Sequence, residues 1–322
     1  MIIISNCTAS IIKDAALALK EGHLVAFPTE TVYGLGADAT NEKAVARIYE
    51  VKGRPTDHPL IVHISSLELL DKWAREMPEH AIKLARAFWP GPMTLILPRT
   101  QLAEDFITGG QDTVAIRVPS NALAIQLLEE FESLGGYGVA APSANRFGKV
   151  SPTNSQAVEE ELGNFLFESD QILDGGQSQI GIESTIIDCT GKAPMILRPG
   201  AITSEMIKKV IEETVEDSLN RSIIHKVKAP GLLESHYAPK ATVALNIPPK
   251  IGDGFIALSS TITPAGVIRL LAPNSSEEFA QQLYDGLRKA DAIGLERIIV
   301  LLPPPEGIGI AIIDRLKKAS TI

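Results

Sequence analysis

Over its first 200 residues the chain alternates short apolar runs with amphipathic stretches. That alternation commits it to an α/β layering, with helices laid against a sheet. Leu24 to Phe27, Leu60 to Ile64, Met93 to Leu97, Val114 to Val118, Gly138 to Ala141, Ser184 to Asp188 and Met195 to Leu197 read as strands. Between them, Ser10 is expected to cap a helix through Ala15, Leu17 and Leu19 that ends at Gly22. Asn41 opens a second helix carrying Ala44, Val45, Ile48 and Val51, and Gly53 stops it. Glu79 to Trp89 and Asn121 to Phe131 are two more helices. The strand spacing is uneven and several connections are long, which predicts a mixed sheet and not a regular Rossmann order.

The texture changes near Thr203. A helix from Ser204 to Thr214 leads into a charged stretch reaching Lys228, then Ala229-Pro230-Gly231 and His236-Tyr237-Ala238-Pro239-Lys240, a linker composition. The last 80 or so residues alternate again. Ala241 to Ile247, Gly254 to Leu258, Val267 to Ala272 and Arg297 to Leu302 read as strands. Ser275 and Glu278 have capping-box spacing for a helix that turns Phe279, Leu283 and Leu287 inward, and a final helix runs through Ile312 and Leu316. The expected organisation is a domain over 1–204, a linker or lid over 205–240, and a smaller three-layer, Rossmann-like α/β domain over 241–322.

Formal net charge is -9, so broad nucleic-acid binding is not favoured, although a local basic groove with weak RNA binding remains compatible. The two cysteines, Cys7 and Cys189, form no paired motif, which argues against a disulfide framework or a cysteine zinc site and for a reducing cytoplasm. No apolar run approaches the roughly 20 residues that span a bilayer.

Against the acidic background, cations and small hydroxyls gather in turns. Lys52-Gly53-Arg54-Pro55 closes a helix, Ser143-Ala144-Asn145 leaves a strand ahead of Ser151-Pro152-Thr153, and Arg198-Pro199-Gly200 follows another strand. Such turns suit a rigid pocket for a phosphate-bearing ligand. Arg117 lies in the apolar run Val114 to Val118, where burial needs a carboxylate partner from the protein or from a ligand. His63 should face opposite to Val62 and share the Arg54 neighbourhood. Neither Gly34-x-Gly36 nor Gly307-x-Gly309 completes a dinucleotide fingerprint, and no Walker-type loop is present. A serine nucleophile has neither an elbow motif nor an evident base.

Nine segments in order carry a family resemblance: Thr29 to Gly36, Lys52 to Pro55, Pro59 to His63, Trp89 to Thr94, Ala115 to Pro119, Pro142 to Asn145, Glu183 to Asp188, Leu197 to Gly200, and His236 to Lys240. Together they resemble the threonylcarbamoyl-AMP synthase family, with its YrdC-like twisted mixed sheet and flanking helices, in the long form that adds a C-terminal domain. The resemblance implies synthesis of threonylcarbamoyl-adenylate from L-threonine, bicarbonate and ATP, with Mg²⁺ accompanying the nucleotide. The product would feed the machinery that places threonylcarbamoyladenosine next to the tRNA anticodon. It further implies that Thr31, His63, Arg117, Ala141 and Ser184 surround L-threonine. Lys52, Arg54, His58, Thr113, Ser143, Ser151, Arg198 and Tyr237 would hold ATP, with Lys52 and Arg54 catalytic through their charge. The family often has asparagine where this chain has His58, which still offers a hydrogen-bond donor.

Two rival readings share parts of this pattern. A non-catalytic RNA binder would use Arg54, Arg146, Lys149 and Arg198 on phosphates. A hydrogenase-maturation carbamoyl transferase shares the fold but carries cysteine-rich zinc modules, for which two cysteines are too few.

Overall fold

The computed structural model describes residues 3–5, 7–212, 215–217, 227–231 and 237–320. In chain order the first unit contains β1 (Ile3–Ile4), α1 (Ala9–Lys20), β2 (Val25–Phe27), β3 (Gly34–Asp38), α2 (Glu42–Lys52), β4 (Ile61–His63), α3 (Leu70–Trp73), α4 (Glu79–Phe88), β5 (Met93–Pro98), α5 (Asp105–Thr108) and β6 (Thr113–Arg117). It continues with α6 (Ala122–Ser133), β7 (Val139–Ala140), α7 (Ser155–Leu162), β8 (Gln171–Leu173), β9 (Thr185–Asp188), β10 (Met195–Arg198), α8 (Ser204–Ile211) and β11 (Glu216–Asp217). The eleven strands form one sheet in the order β1-β8-β2-β3-β7-β4-β6-β5-β9-β10-β11. Parallel pairs such as β4 with β6 stand beside antiparallel ones such as β5 with β6, so the expected mixed sheet is present.

Alternation along the strands sends side chains into different cores. Leu24 and Ala26 join the large core that includes Val45, Ile48 and Leu84. Val25 and Phe27 join a second core with α1 and α6 residues Leu19, Leu127 and Phe131. Both faces of the sheet are therefore covered, and the strands read as apolar runs. Asn41 caps α2 by accepting from the Ala44 N–H at 3.2 Å, and Asn121 caps α6 by accepting from Leu123 and Ala124.

Several expectations are corrected. Thr8, not Ser10, is the residue before α1, and Ser10 lies inside its first turn. Gly34 to Asp38, absent from the strands expected above, is strand β3, paired antiparallel with β2. Its two glycines mask its strand character. α7 and β8 were not anticipated. β8 is three residues long, yet it sits between β1 and β2. The expected helix from Ser204 is α8, which packs on α4, whereas β11, paired with β10, was not anticipated. The helix read as far as Thr214 is described to Ile211; residues 213 and 214 and His236 lie outside the described residues.

The second unit has β12 (Thr242–Leu245), β13 (Gly254–Ile256), β14 (Ile268–Leu271), α9 (Ser276–Ala292), β15 (Arg297–Val300) and α10 (Gly309–Ser320). Its sheet is wholly parallel, ordered β12-β15-β13-β14. Ser275 accepts from the Glu278 N–H, while Glu278 reaches back to Asn274 and not to Ser275. The α/β character is as expected, but the third layer is not formed by helices among the described residues. α9 and α10 touch each other and share one core with Ile256, Ile298 and Val300. The opposite face carries the small cluster of Phe255, Ala257 and Ile299.

The two units dock closely. The core around α9 and α10 takes in Val32, Val150, Ile182 and Tyr237 from the first unit and the linker. Gly181, at φ +80°, allows this approach: a Cβ there would stand 2.5 Å from the Gln281 Cα of α9.

Candidate active site

A cleft of about 630 Å³, part of it open to solvent, lies where β3, β4, β6 and β7 meet the loops around residues 143–147, 183–184 and 230–231. One wall is built by the end of α2. Lys52, 2% exposed, donates from Nζ to the carbonyl oxygens of Ser143 at 2.6 Å and Asn145 at 2.5 Å. Burial, with Arg54 nearby, depresses its ammonium well below the usual lysine range. Arg54 donates from Nη2 to the Pro59 carbonyl at 3.0 Å and lies 5.8 Å from the Phe147 ring centre. Burial lowers it to about 10, still cationic at neutral pH.

The opposite wall comes from two adjacent strands. The register of β4 with β6 sets His63 beside Arg117, and alternation sends both to the cavity while Val62 and Ile116 enter the large core. Arg117 pairs with Glu30 at 2.6 Å, donates to Thr31 Oγ1 at 2.8 Å and donates to the Gly91 carbonyl at 3.3 Å. The protein itself thus supplies a carboxylate for the buried arginine. His63 Nδ1 is buried with no hydrogen-bond partner among the described residues. Burial and then the Arg117 charge lower this imidazole to about 3, so it is neutral at physiological pH.

A third side involves Arg198, Ser184 and Tyr237. Arg198 donates from Nε and Nη2 to the Ser184 carbonyl, from Nη2 to Ser184 Oγ at 3.1 Å, and from Nη1 to the linker carbonyl of Pro230 at 3.0 Å. Ser184 Oγ also lies 2.8 Å from Thr94 Oγ1. Gly231, at φ +79°, passes so close that a Cβ there would meet the Tyr237 hydroxyl at 2.4 Å. Behind this side, Glu183 accepts from Ser151 Oγ at 2.7 Å, Tyr284 OH at 2.9 Å and Arg315 Nε at 2.9 Å. Burial alone would raise the Glu183 carboxyl, but Arg315 and Arg198 outweigh it and hold it near 2.

The structure brings Thr31, Lys52, Arg54, His63, Arg117, Ala141, Ser143, Ser184, Arg198 and Tyr237 to one cavity. Three other candidates are not among its lining residues. His58 stands edge-on to Phe147 at 5.3 Å, Thr113 opens β6, and Ser151 is turned to Glu183. Sequence reasoning missed Phe147 in the lining and the partners Glu30, Tyr284 and Arg315. Glu30 had a signal, since a buried arginine needs a carboxylate; Tyr284 and Arg315 had none in local pattern.

Residues 17–200 match the protein-family model described as "Telomere recombination" (Sua5_yciO_yrdC), and residues 202–321 match "Threonylcarbamoyl-AMP synthase, C-terminal domain". The chain is 43% identical to the threonylcarbamoyl-AMP synthase of Pyrococcus abyssi, over 96% of this chain and 94% of that protein. It is 41% identical to the Bacillus subtilis threonylcarbamoyl-AMP synthase, over 96% and 92%. A crystal structure of P. abyssi Sua5 complexed with L-threonine superimposes with a TM-score of 0.89 at 41% identity, covering 99% of this chain and 98% of that one. With both units matched and the likeness running nearly end to end, the chain belongs to the threonylcarbamoyl-AMP synthase family.

Proposed function

We propose that this chain is an L-threonylcarbamoyladenylate synthase, a nucleotidyltransferase that condenses L-threonine, bicarbonate and ATP and releases pyrophosphate. Its product serves the tRNA threonylcarbamoyl-transfer machinery that modifies the position next to the anticodon. One observation carries the reading: Arg117 and the cations Lys52, Arg54 and Arg198 line the same buried cavity, so two anionic substrates can be anchored face to face.

Arg117 takes the threonine carboxylate as a bidentate fork, with Glu30 and Thr31 fixing its plane. Thr31, His63, Ala141 and Ser184 surround the rest of the amino acid. Neutral His63 offers Nδ1 as an acceptor to the substrate hydroxyl or amine. Lys52, Arg54 and Arg198 hold the phosphates of ATP, with Ser143 and Tyr237 beside them. His58 and Thr113, outside the cavity lining, would meet only parts of the nucleotide that reach beyond it, and Ser151 acts through Glu183.

The threonine amine and bicarbonate form a carbamate with loss of water. A carbamate oxygen then attacks the α-phosphorus, and the bond to the pyrophosphate oxygen breaks. No side chain needs to act as nucleophile; alignment and neutralisation of phosphate charge do the work. Magnesium would add charge neutralisation at the phosphates; Glu183, the carboxylate in the cavity lining, is engaged by Arg315, Tyr284 and Ser151, so the cation would arrive with the nucleotide. The linker residues Pro230, Gly231 and Tyr237 in the lining exclude water from a hydrolysable adenylate.

The test is pyrophosphate release with threonine, bicarbonate and serine varied one at a time. Release dependent on both threonine and bicarbonate, and weak with serine, is expected. Salt-sensitive RNA retention without turnover would replace this reading with a binder.

A further inference from the structure

The functional reading leaves the buried guanidinium of Arg315, in the second unit, without a role in positioning the substrates. Arg315 lies on α10, is 1% exposed, and makes contacts that converge on the reaction cavity from behind. Its Nε donates to Glu183 Oε2 at 2.9 Å, its Nη2 to the Glu183 carbonyl at 3.3 Å, and its Nη1 to the Pro199 carbonyl at 2.9 Å. Asp314 shares Nη1 at 2.8 Å. The guanidinium carbon also lies 5.6 Å from the centre of the Tyr237 ring, which stacks on Tyr284 of α9 at 5.8 Å.

Neutralising Glu183 would need only a charge. Arg315 does more, because Glu183 and Pro199 directly flank the cavity residues Ser184 and Arg198. Those two are joined in turn by the Arg198 hydrogen bonds to the Ser184 carbonyl. A closed circuit of hydrogen bonds and two peptide links thus runs through residues 183, 184, 198, 199 and 315. Its far corner belongs to the C-terminal unit.

Resting on the synthase reading above, we infer that Arg315 is a positioning residue of the reaction. It sets the spacing between the segment carrying Ser184, at the threonine end, and the segment carrying Arg198, at the nucleotide end, and it backs the linker ring of Tyr237. The C-terminal unit therefore completes the active site. The main threonine anchor Arg117 is held by Glu30, Thr31 and Gly91, outside this circuit, so amino-acid affinity feels the circuit only through Ser184.

Lysine separates positioning from neutralisation, since it keeps the charge but cannot fork onto a carboxylate and two carbonyls at once. In the full-length chain, Arg315→Lys should retain a melting temperature close to wild type and threonine affinity within about twofold. Its turnover at saturating ATP, threonine and bicarbonate should fall roughly tenfold to a hundredfold, the scale of a misplaced reacting pair. Arg315→Met should lose at least as much turnover. Because it strands a buried carboxylate, it is paired with the double variant Arg315→Met, Glu183→Gln, which removes both charges. Full turnover in Arg315→Lys overturns the inference, as does a loss in every variant that merely follows melting temperature. A wild-type chain that releases no pyrophosphate with threonine instead overturns the synthase reading, and this inference with it.

Discussion

Glu30 and Arg117 meet at 2.6 Å in the cavity wall, both almost wholly removed from solvent. The pair explains how an arginine can sit in an apolar strand before any substrate arrives. Desolvating two charges is expensive, and only close pairing with further hydrogen bonds offsets it. Here Thr31 and Gly91 provide those bonds, leaving the guanidinium oriented and not merely tolerated.

Arg117→Ala is expected to reduce threonine-dependent pyrophosphate release about a hundredfold or more, by the scale of a lost buried charge contact. It also leaves Glu30 unpaired, which costs about 3–5 kcal/mol, so Arg117→Met with Glu30→Gln is the better-folded companion. Calorimetric titration with ATP should show nucleotide affinity largely intact in both. An equal loss of nucleotide affinity would contradict the assignment of Arg117 to the amino acid.

Gly231→Ala should disturb the linker where it crosses the cavity. The new methyl would press on the Tyr237 hydroxyl and lie 3.1 Å from Arg198 Nη1, on a backbone at φ +79° that L side chains avoid. Turnover should drop roughly tenfold while the melting temperature of the chain changes little, since the segment lies at the cavity mouth. Steady-state pyrophosphate release alongside thermal unfolding decides it.

A chain ended at residue 228 lacks Tyr237, Tyr284 and Arg315, and leaves Ser151 as the remaining described side-chain partner of the Glu183 carboxylate. Weakened turnover and a lower melting temperature are expected, the latter because Val32, Val150 and Ile182 lose the apolar core they pack into. Full activity from that fragment would rule out any need for the second unit.

Acid should destabilise the fold in two overlapping windows. His63 titrates near 3 when folded against 6.5 as the ordinary value, and Glu183 near 2 against 4.5. In both windows the unfolded chain binds more protons than the folded one, so stability is lost as pH falls. The His63 contribution erodes from about pH 6.5 downward and that of Glu183 from about pH 4.5. His58, also lowered by burial and Arg54, adds in the same sense. Melting temperatures from pH 7 to pH 4 should decline, and His63→Asn should flatten the upper part of that decline. An unchanged slope in the variant would show that His63 is not the buried neutral group described.

Local chemistry was legible in the sequence where it is local in space. Asn41 and Asn121 cap helices that begin at the next residue, and the α2 end that carries Lys52 and Arg54 follows from one helical pattern and its stop. The strand β3 was hidden by its glycines, and β8 by its length of three residues, because pairing with neighbours defines both. The site divided in the same way. His63 and Arg117 could be placed on faces by alternation, yet that they stand side by side is a matter of register. Arg315 reaches Glu183 across 132 residues of chain, a distance over which no spacing rule applies.

Lys52 is the least accessible of the cavity cations, and burial beside Arg54 weakens its hold on its proton. Amine reagents dissolved in water will acylate the surface lysines first, because only those can be reached. A substrate-shaped acylating agent would instead enter the cavity, where Lys52 is the lysine in the lining, so peptide mapping after such labelling should find the adduct at residue 52. The feature that equips the fold to receive phosphates thus also marks one lysine for selective covalent capture.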